Sequence, residues 1–355
     1  MNTLDRYLYR TVIAYALMAM GVLLTLAGLF LFISEQGDIG VGSYTSADAL
    51  LYALLNLPQQ AFQLLPIAAM IGALMGLGNL AAASELVVTR ASGVSIWRVA
   101  WPVGLAGATL ALAMYLIGEY AAPPLAQFAQ TEKTSSRLAD VSFAGRSSAW
   151  IKEGSLILRL RTGEVGQSFG GAELFELDGP QRLASIQTAE RISVADPGRW
   201  RLDNVRTTTF GPGRVEGTRA DHVTMRSTIN PDFLGLAATD PELLTLRGLA
   251  GYIQHLRRNH LQAAPYEIGF WSRVARIFSV IVVTLLALPF VFGPLRSTGA
   301  GTRTVVGVLL GVVFFVVSGT VEKGGQLFGL DPLVIGWLPT AVIGAGTLAA
   351  IWRTR

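Results

Sequence analysis

The sequence predicts an α-helical membrane protein in which an all-β domain is inserted between the third and fourth of six transmembrane helices. Three observations lead to this fold class. Six long stretches contain no Asp, Glu, Lys or Arg, the short segments between them alternate in charge, and a central segment has the composition of a soluble protein. Over the whole chain 51% of residues are hydrophobic and 15% are charged, whereas a soluble domain carries about 25% charged residues.

The charge-free stretches account for the helices. Each is about as long as the roughly 20 apolar residues that an α-helix needs to cross a bilayer. They cover residues 11–33, 49–84, 99–118, 277–295, 304–321 and 332–352. We predict one span per stretch, and we interpret the first as a retained helix because no small-residue cleavage site follows it.

The second stretch is the longest, yet two membrane-crossing helices and a turn would not fit within it. We predict one long helix, which Pro58 and Pro66 start or bend. Glycines four residues apart recur in the second and fifth stretches, and this spacing allows two membrane helices to approach closely. These pairs are Gly72 with Gly76, and Gly307 with Gly311.

The charges between the stretches predict the topology. Arginines predominate near the membrane on one side: Arg6, Arg10, Arg90, Arg98, Arg296, Arg303, Arg353 and Arg355. The other side carries Glu35, Asp38, Glu322, Lys323 and Asp331. Short cytoplasmic loops are enriched in Lys and Arg, so both chain termini are predicted to lie in the cytoplasm.

The central segment predicts a β domain. We divide the chain into residues 1–121 with three spans, 122–265 with the inserted domain, and 266–355 with three spans. Polar and apolar residues alternate with period two in 155–160, 173–177, 199–203 and 222–225, and Gly and Pro separate these segments. This pattern favours an antiparallel sandwich or barrel-like sheet on the extracytoplasmic side. Asp240-Pro241-Glu242 is typical of a helix start, and we expect that helix to run to about Asn259.

Several kinds of chemistry are disfavoured. A P-loop needs lysine directly after glycine, but Lys133, Lys152 and Lys323 follow Glu, Ile and Glu. The chain has no cysteine and three histidines, of which His255 and His260 lack the spacing of helical metal ligands. The net charge of +4 reflects topology and not nucleic-acid binding. We therefore predict a non-catalytic protein without a metal or bound cofactor.

The segment 84–93 between the second and third stretches allows two interpretations. Ser84 followed by Glu85 suits the start of a short helix, and Gly93 suits its end. Such a segment is commonly only a polar turn between two spans. The alternative is a helix that docks on a cytoplasmic partner, with Leu86 and Val87 buried at the contact and Glu85 supplying a directional charge.

Several short motifs together resemble the LptF/LptG family, and the resemblance covers essentially the whole chain. The motifs are Leu4-Asp5-Arg6-Tyr7, Gly76-Leu77-Gly78-Asn79-Leu80, Ser84-Glu85-Leu86-Val87-Val88, Ala91-Ser92-Gly93, Gly118-Glu119 and Phe292-Gly293-Pro294-Leu295-Arg296-Ser297. The last is more similar to the LptG branch than to the LptF branch. The LptF branch remains the alternative.

The resemblance implies a permease subunit of an ABC transporter that exports lipopolysaccharide from the Gram-negative inner membrane. Expected partners are an LptF-like permease subunit, two LptB-like ATPase subunits that use ATP and Mg²⁺, and an LptC-like bridge protein. The central domain would be a periplasmic β-jelly roll that passes the lipid onward. Segment 84–93 matches the family's coupling helix, so Glu85, Leu86, Val87 and Arg90 are the expected ATPase-coupling residues.

The resemblance also places the lipid between the two permease subunits, against the first and fifth spans. Candidate tail-binding and gate residues are Leu23, Leu26, Phe30, Val313, Phe314 and Val317. Any of them could instead pack against neighbouring helices.

The lipid phosphates require cations, and here the chain departs from its relatives. LptG relatives can carry a basic residue near the outer end of the first span, whereas this chain has Ser34 and Glu35 there. The remaining candidates are Lys133, Arg137, Arg273, Arg276 and Lys323. They could form one distributed phosphate site, or each could be an interfacial cation that extends to the headgroups.

Two other classes of protein are alternatives. Lipoprotein-releasing or mechanotransmitting ABC permeases also lack a P-loop and carry a periplasmic domain, but they generally have four spans, with the large domain after the first. A non-transport scaffold for a periplasmic β domain would have no ATPase partner.

Overall fold

The computed structural model describes residues 2–138, 148–153, 156–161, 168–169, 171–178, 183–196, 199–211, 214–226, 244–259, 261–292, 299–327 and 329–353. The chain divides into two compact units. The first comprises Met1–Arg137, Thr245–Leu249 and Ala264–Arg355, and the second comprises Leu138–Leu244 and Ala250–Ala263.

Helices dominate the first unit. In chain order the helices are α1 (Thr3–Ser34), α2 (Ser46–Ala82), α3 (Glu85–Ala91), α4 (Ile96–Leu116), α5 (Ala122–Leu138), α6 (Leu246–Arg258), α7 (Ala264–Phe292), α8 (Ala300–Leu327) and α9 (Pro332–Arg353). A 3₁₀ turn, Glu35–Asp38, follows α1, and a π turn, Ile117–Ala121, joins α4 to α5.

The six predicted spans are confirmed. Within the described residues, six segments are long and apolar enough to cross a membrane: Thr3–Asp38, Ser46–Ala82, Ile96–Thr134, Ala264–Phe292, Gly301–Gly325 and Pro332–Arg353. The third continues from α4 through the π turn into α5. The second is one helix, as predicted, and contains both Pro58 and Pro66.

Short polar side chains fix where three of the helices begin. Asn2 and Asp5 form a capping box at the start of α1, and Thr45 and Asp48 form another at the start of α2. In the second box the Asp48 carboxylate accepts from the Thr45 amide at 2.8 Å. The Ser95 hydroxyl accepts from the Arg98 amide at the start of α4. Each contact satisfies an amide that has no partner within its helix.

Helix α2 lies at the centre of the first unit. In its most apolar stretch 83% of residues are buried, compared with 11% in the first span and 17% in the fifth. Helices α1 and α8 both pack against α2, and α4 and α7 contact it as well. The outward faces of α1 and α8 are consequently apolar and uncovered in this chain.

The glycine pairs mark close contacts of α2 with α1 and with α8. A Cβ atom at Gly72 would overlap the backbone of Ala16 on α1, and one at Gly76 would lie 3.2 Å from the Tyr15 ring. On the other side of α2, a Cβ atom at Gly307 of α8 would lie 3.2 Å from the Ile71 Cα atom. Lipid tails are as apolar as the side chains, so membrane helices associate through this kind of close packing.

The second unit contains an antiparallel sheet. Its strands are β1 (Ser148–Glu153), β2 (Leu156–Arg161), β3 (Ser168–Phe169), β4 (Ala172–Leu177), β5 (Leu183–Ala189), β6 (Arg191–Asp196), β7 (Arg199–Gly211) and β8 (Arg214–Arg226). They follow the order β1-β2-β4-β5-β7-β6-β3, and β8 pairs with β7. Strands β2, β4, β7 and β8 correspond to the four alternating segments, so the predicted inserted β domain is confirmed.

Strand β7 organises the sheet. One edge pairs with β8 along its length, while the other pairs with β6 through residues 199–203 and with β5 through residues 206–209. Between these pairings Asn204 has a left-handed backbone with φ of +53°, which Asn tolerates better than most residues. Trp200, Leu202 and Val205 are fully buried and form the core with residues of β2, β4 and β5.

The predicted helix after the β domain is α6, Leu246–Arg258, which ends within one residue of the expected Asn259 but begins later than expected, because Leu244 and Thr245 are not helical. Its predicted first residues, Asp240-Pro241-Glu242, lie outside the described residues.

The contact at Gly72 gives a test of the fold. We expect Gly72→Ala to lower the stability of the purified chain by about 1–3 kcal/mol, because the added methyl would force α1 away from α2. Gly21→Ala is the matched control, since no atom lies within 4 Å of a Cβ there. Thermal unfolding in detergent measures both. Equal unfolding midpoints for the two variants would contradict the close α1–α2 contact.

Candidate functional site

The segment 84–93 folds as the short helix α3, as the sequence predicts. Ser84 precedes the helix with a φ of +61°, and its side chain caps no backbone amide. Its carbonyl accepts a hydrogen bond from the Val88 amide at 2.9 Å. Gly93, with a φ of +90°, follows its end and donates its amide to the Arg90 carbonyl. Both residues turn the chain sharply, and only Gly93 does so without a Cβ penalty.

The side chains of α3 separate into an inner and an outer face. Leu86 is 1% exposed and belongs to the core cluster with Leu77, Leu80 and Ile96. Val87 is half-buried, whereas Glu85 and Val88 are exposed. The expectation that a partner buries Leu86 therefore needs correction, because the chain's own core already covers this side chain. Val88, 64% exposed, is the apolar residue that α3 presents.

Sequence reasoning missed Val88, although helical spacing contains the signal. Residues three and four apart share a helix face. Val88 therefore lies beside Glu85, while Leu86 and Arg90 point to the other side.

Both charged side chains of α3 contact other spans. The Glu85 carboxylate lies beside the Tyr7 hydroxyl near the start of α1. The Arg90 guanidinium lies over the Phe292 ring at the end of α7, 5.5 Å from its centroid. Helix α3 is thereby connected to the first and fourth spans as well as to the spans that flank it.

Ion pairs at both ends of α1 tie it to the third span. The Asp5 side chain, only 5% exposed, accepts from the Arg98 guanidinium at 3.1 Å. At the other end of α1, Lys133 of α5 donates to Glu35 at 2.7 Å and to Asp38 at 2.9 Å. The buried Tyr44 hydroxyl also donates to Glu35, at 2.9 Å. Burial, together with the neighbouring Glu35 carboxylate, raises the pKa of Tyr44, so it stays a neutral donor.

The candidate gate residues differ in exposure. On α1, Leu26 and Phe30 are 47% and 67% exposed, while Leu23 is half-buried against the core. On α8, Val313 and Val317 are 51% and 45% exposed. These two are four residues apart and share the uncovered face.

Phe314 is not on that face. It is 6% exposed and lines a small cavity with Ser272, Ser318 and Thr340, which belong to α7, α8 and α9. The expectation that Phe314 contacts lipid tails is therefore corrected: one residue along a helix turns the side chain by about 100°. Phe315, 47% exposed, is the outward aromatic at this level.

Two of the candidate phosphate-binding cations, Lys133 and Arg273, have partners within the chain. Lys133 is paired with Glu35 and Asp38, and its ammonium lies 4.8 Å from the centroid of the Tyr52 ring. Arg273 is 7% exposed and lies over the Phe62 ring. Its guanidinium donates to the Gly118 carbonyl in the π turn at 2.9 Å.

The other three cations are placed differently. Arg276 lies 3.5 Å from Glu322 across the seam between α7 and α8. The neighbouring Lys323 is exposed, and the Arg137 side chain lies outside the described part of the chain. A shared phosphate site remains a prediction. A lipid phosphate would have to compete with two carboxylates for Lys133.

The comparison with known proteins covers both units. The sequence model of the family described as lipopolysaccharide export system permease LptF/LptG matches residues 6–353. The chain belongs to the LptF/LptG family. This confirms the resemblance that the short motifs indicate.

The similar relatives carry the LptG name. The lipopolysaccharide export system permease protein LptG of Escherichia coli K12 is 32% identical over 343 residues, which is 96% of this chain and 95% of the relative. LptG of Haemophilus influenzae is 29% identical over 352 residues, or 99% of this chain and 97% of the relative. The similarity to the LptG branch therefore extends over the spans, α3 and the β domain.

The structure of this LptF/LptG-family chain also reveals a buried acid that sequence reasoning did not assign. Glu119, in the π turn of the third span, is 6% exposed. Its carboxylate accepts from the amides of Leu246 and Arg247 at 2.8 and 3.3 Å, at the start of α6. A negative charge is stabilised by the unpaired amides of a helix N-terminus. The signal was present in the Gly118-Glu119 motif, but the sequence does not show which amides the acid meets.

The Lys133 cluster gives a second test. We expect Lys133→Met to destabilise the purified chain by about 1–3 kcal/mol, because it leaves the buried Glu35 carboxylate without its cation. Adding Glu35→Gln should recover part of the loss, since the uncompensated charge is then removed. Lys323→Met, at an exposed position, is the control and should stay within about 0.5 kcal/mol. Thermal unfolding in detergent gives all three values. A Lys133→Met variant as stable as the control would rule out a structural ion pair.

Proposed function

We propose that this chain is the LptG-type permease subunit of an ABC transporter that extracts lipopolysaccharide from the Gram-negative inner membrane and passes it to a periplasmic bridge. One observation carries the proposal: the match to lipopolysaccharide export permeases spans residues 6–353 and so includes the six spans, α3 and the β domain. Both units thus belong to the region of similarity.

The arginine distribution supports an orientation. Under the positive-inside rule the two chain termini and α3 face the cytoplasm, and the β domain lies in the periplasm. In that orientation α3 is accessible to an ATPase in the cytoplasm. The β domain is then on the side toward which the lipid travels.

Two kinds of contact surface support the assembly. The outer face of α3, with Glu85 and Val88, is the proposed docking surface for an LptB-like ATPase, of which the transporter would contain two. The uncovered apolar faces of α1 and α8 are the proposed contacts with an LptF-like subunit and with the lipid. An LptC-like protein would receive the lipid at the β domain. ATP and Mg²⁺ would belong to the ATPase, and this chain would supply no cofactor site.

The energetics explain why such a transporter needs ATP. Moving an acyl chain out of the bilayer costs roughly 0.8 kcal/mol for each CH₂ group, so a lipid with several chains does not leave spontaneously. At the interface between the two permease subunits, the tails would contact apolar side chains, namely those of Leu26, Phe30, Val313 and Val317. Closure of the ATPase dimer, transmitted through α3, would narrow the interface between the two permease subunits and displace the lipid toward the β domain.

The span count separates this proposal from its main rival. Lipoprotein-releasing and mechanotransmitting permeases generally have four spans and a large domain after the first. Here six segments of the described chain can span a membrane, and the β domain follows the third. That arrangement favours the lipopolysaccharide permease.

The two faces of α3 provide the test of ATPase docking. We expect Glu85→Lys and Val88→Asp to leave the amount of membrane-inserted chain unchanged but to reduce co-purification of the ATPase. Removing one partner of a desolvated interface charge typically costs about 2–5 kcal/mol. Leu86→Ala should instead destabilise the chain itself by about 2–5 kcal/mol, because it empties a core position. Normal ATPase recovery with both outer-face variants would refute docking on this face.

The gate prediction uses the absence of native cysteine. Phe30→Cys or Val313→Cys, each combined with a cysteine in the facing span of the partner permease, should cross-link and stop lipid export, while the complex remains assembled. Phe314→Cys is the control and should cross-link poorly because the position is buried. If the cross-linked complex still exported lipid at the full rate, the lipid would enter elsewhere.

A further inference from the structure

A fully buried arginine connects the fifth span to the core of the first unit. Arg303 lies in the first turn of α8 and is 1% exposed. In the sequence it is one of the arginines between the fourth and fifth spans, where the topology rule predicts a cation in water or among headgroups. Burying a guanidinium is costly unless the site is built to receive it. Its surroundings therefore need an explanation.

Gly78 of α2 provides the space for this side chain. A Cβ atom at Gly78 would overlap the Arg303 Cδ atom, and would lie 2.7 Å from Nε and 2.8 Å from Nη1. The guanidinium thus lies directly against the α2 backbone, in a notch that any larger residue at 78 would fill. At this contact the Arg303 side chain of α8 packs against the α2 backbone.

A short hydrogen-bond chain continues from this notch to α1. Arg303 Nη1 donates to Asn79 Oδ1 at 3.5 Å, and Asn79 Nδ2 donates to the Tyr15 hydroxyl at 2.7 Å. The Tyr15 ring also packs near Gly76, as described above. Through α2, one polar chain thereby joins α8 to α1, and the outer faces of α8 and α1 form the proposed gate.

The notch also lies next to the proposed ATPase-docking helix. Helix α2 ends at Ala82 and α3 begins at Glu85, so Gly78 and Asn79 occupy the last turn of α2 before α3. A displacement of α3 that moves this turn also moves Asn79, the hydrogen-bond partner of both Arg303 and Tyr15. If α8 alone moved along its axis, the Arg303 guanidinium would leave Asn79 and enter apolar packing.

We propose that Arg303 is a positioning residue for export. Seated in the Gly78 notch and joined through Asn79 to Tyr15, it makes the ends of α1 and α8 nearest α3 move together with α3. This inference rests on the proposed function and adds to it the residues through which ATPase closure reaches both gate helices.

The test measures lipid released per ATP hydrolysed by the reconstituted complex in proteoliposomes that contain lipopolysaccharide. Asn79→Leu removes the link between Arg303 and Tyr15 at a half-buried position, and Gly78→Ala fills the notch. We expect each to lower the lipid-to-ATP ratio about fivefold or more, the lower end of measured couplings between sites, while ATP hydrolysis continues. Asn79→Asp should keep the ratio near its original value, because a carboxylate still accepts from Arg303 and Tyr15.

Two controls separate positioning from folding. Gly301→Ala lies in the same turn of α8 with no atom within 4 Å of its added Cβ, and it should leave the ratio unchanged. A drop in complex yield and unfolding temperature in Asn79→Leu, with an unchanged ratio, would overturn the proposal and leave a purely structural contact. Equal ratios in Asn79→Leu and Asn79→Asp would also overturn it. Failure of the unmodified chain to bind an ATPase would instead refute the proposed function.

Discussion

The first unit depends on how closely other helices can approach the backbone of α2. Inside a bilayer the hydrophobic effect does not drive helices together, because lipid tails solvate them as well as neighbouring side chains do. Gly72 and Gly76 let α1 approach α2 on one side, and Gly307 does the same for α8 on the other. Because the inner faces of α1 and α8 pack against α2, the remaining apolar surface of these two helices faces outward. A permease that handles a lipid between subunits needs such surface.

The polar groups of the first unit serve mainly to hold helix ends. Glu119 satisfies the first amides of α6, Arg273 satisfies the Gly118 carbonyl, and Lys133 neutralises Glu35 and Asp38. In each case a charge that would be costly alone is compensated by groups distant in the sequence. Lys133 and Arg273, which the sequence offers to a lipid phosphate, are therefore also parts of the scaffold.

Much of the fold could be predicted because the bilayer restricts what the sequence can do. Charge-free length determines the number of spans, loop arginines predict the orientation, and period-two alternation identifies the β domain. These signals do not report the rotation of a helix about its axis. Leu86 and Phe314 were therefore assigned to outer surfaces, although they are 1% and 6% exposed, and Val88 and Phe315 were missed. The burial of Arg303 was equally out of reach, since its notch is formed by a glycine more than two hundred residues away in the chain.

The ion pairs at the two ends of α1 restrict how the proposed gate can work. Arg98 and Lys133 lie near opposite ends of the same continuous third span, and they hold Asp5 and Glu35 at opposite ends of α1. While these ion pairs hold, both ends of α1 are attached to the third span. Helix α1 therefore neither rotates about a hinge nor slides along its axis relative to that span. Its free movement is to bow in the middle, or to travel as one piece with the third span. An opening of the gate on the α1 side is then either a bulge at mid-membrane depth, where lipid tails are, or a displacement that carries the third span with α1.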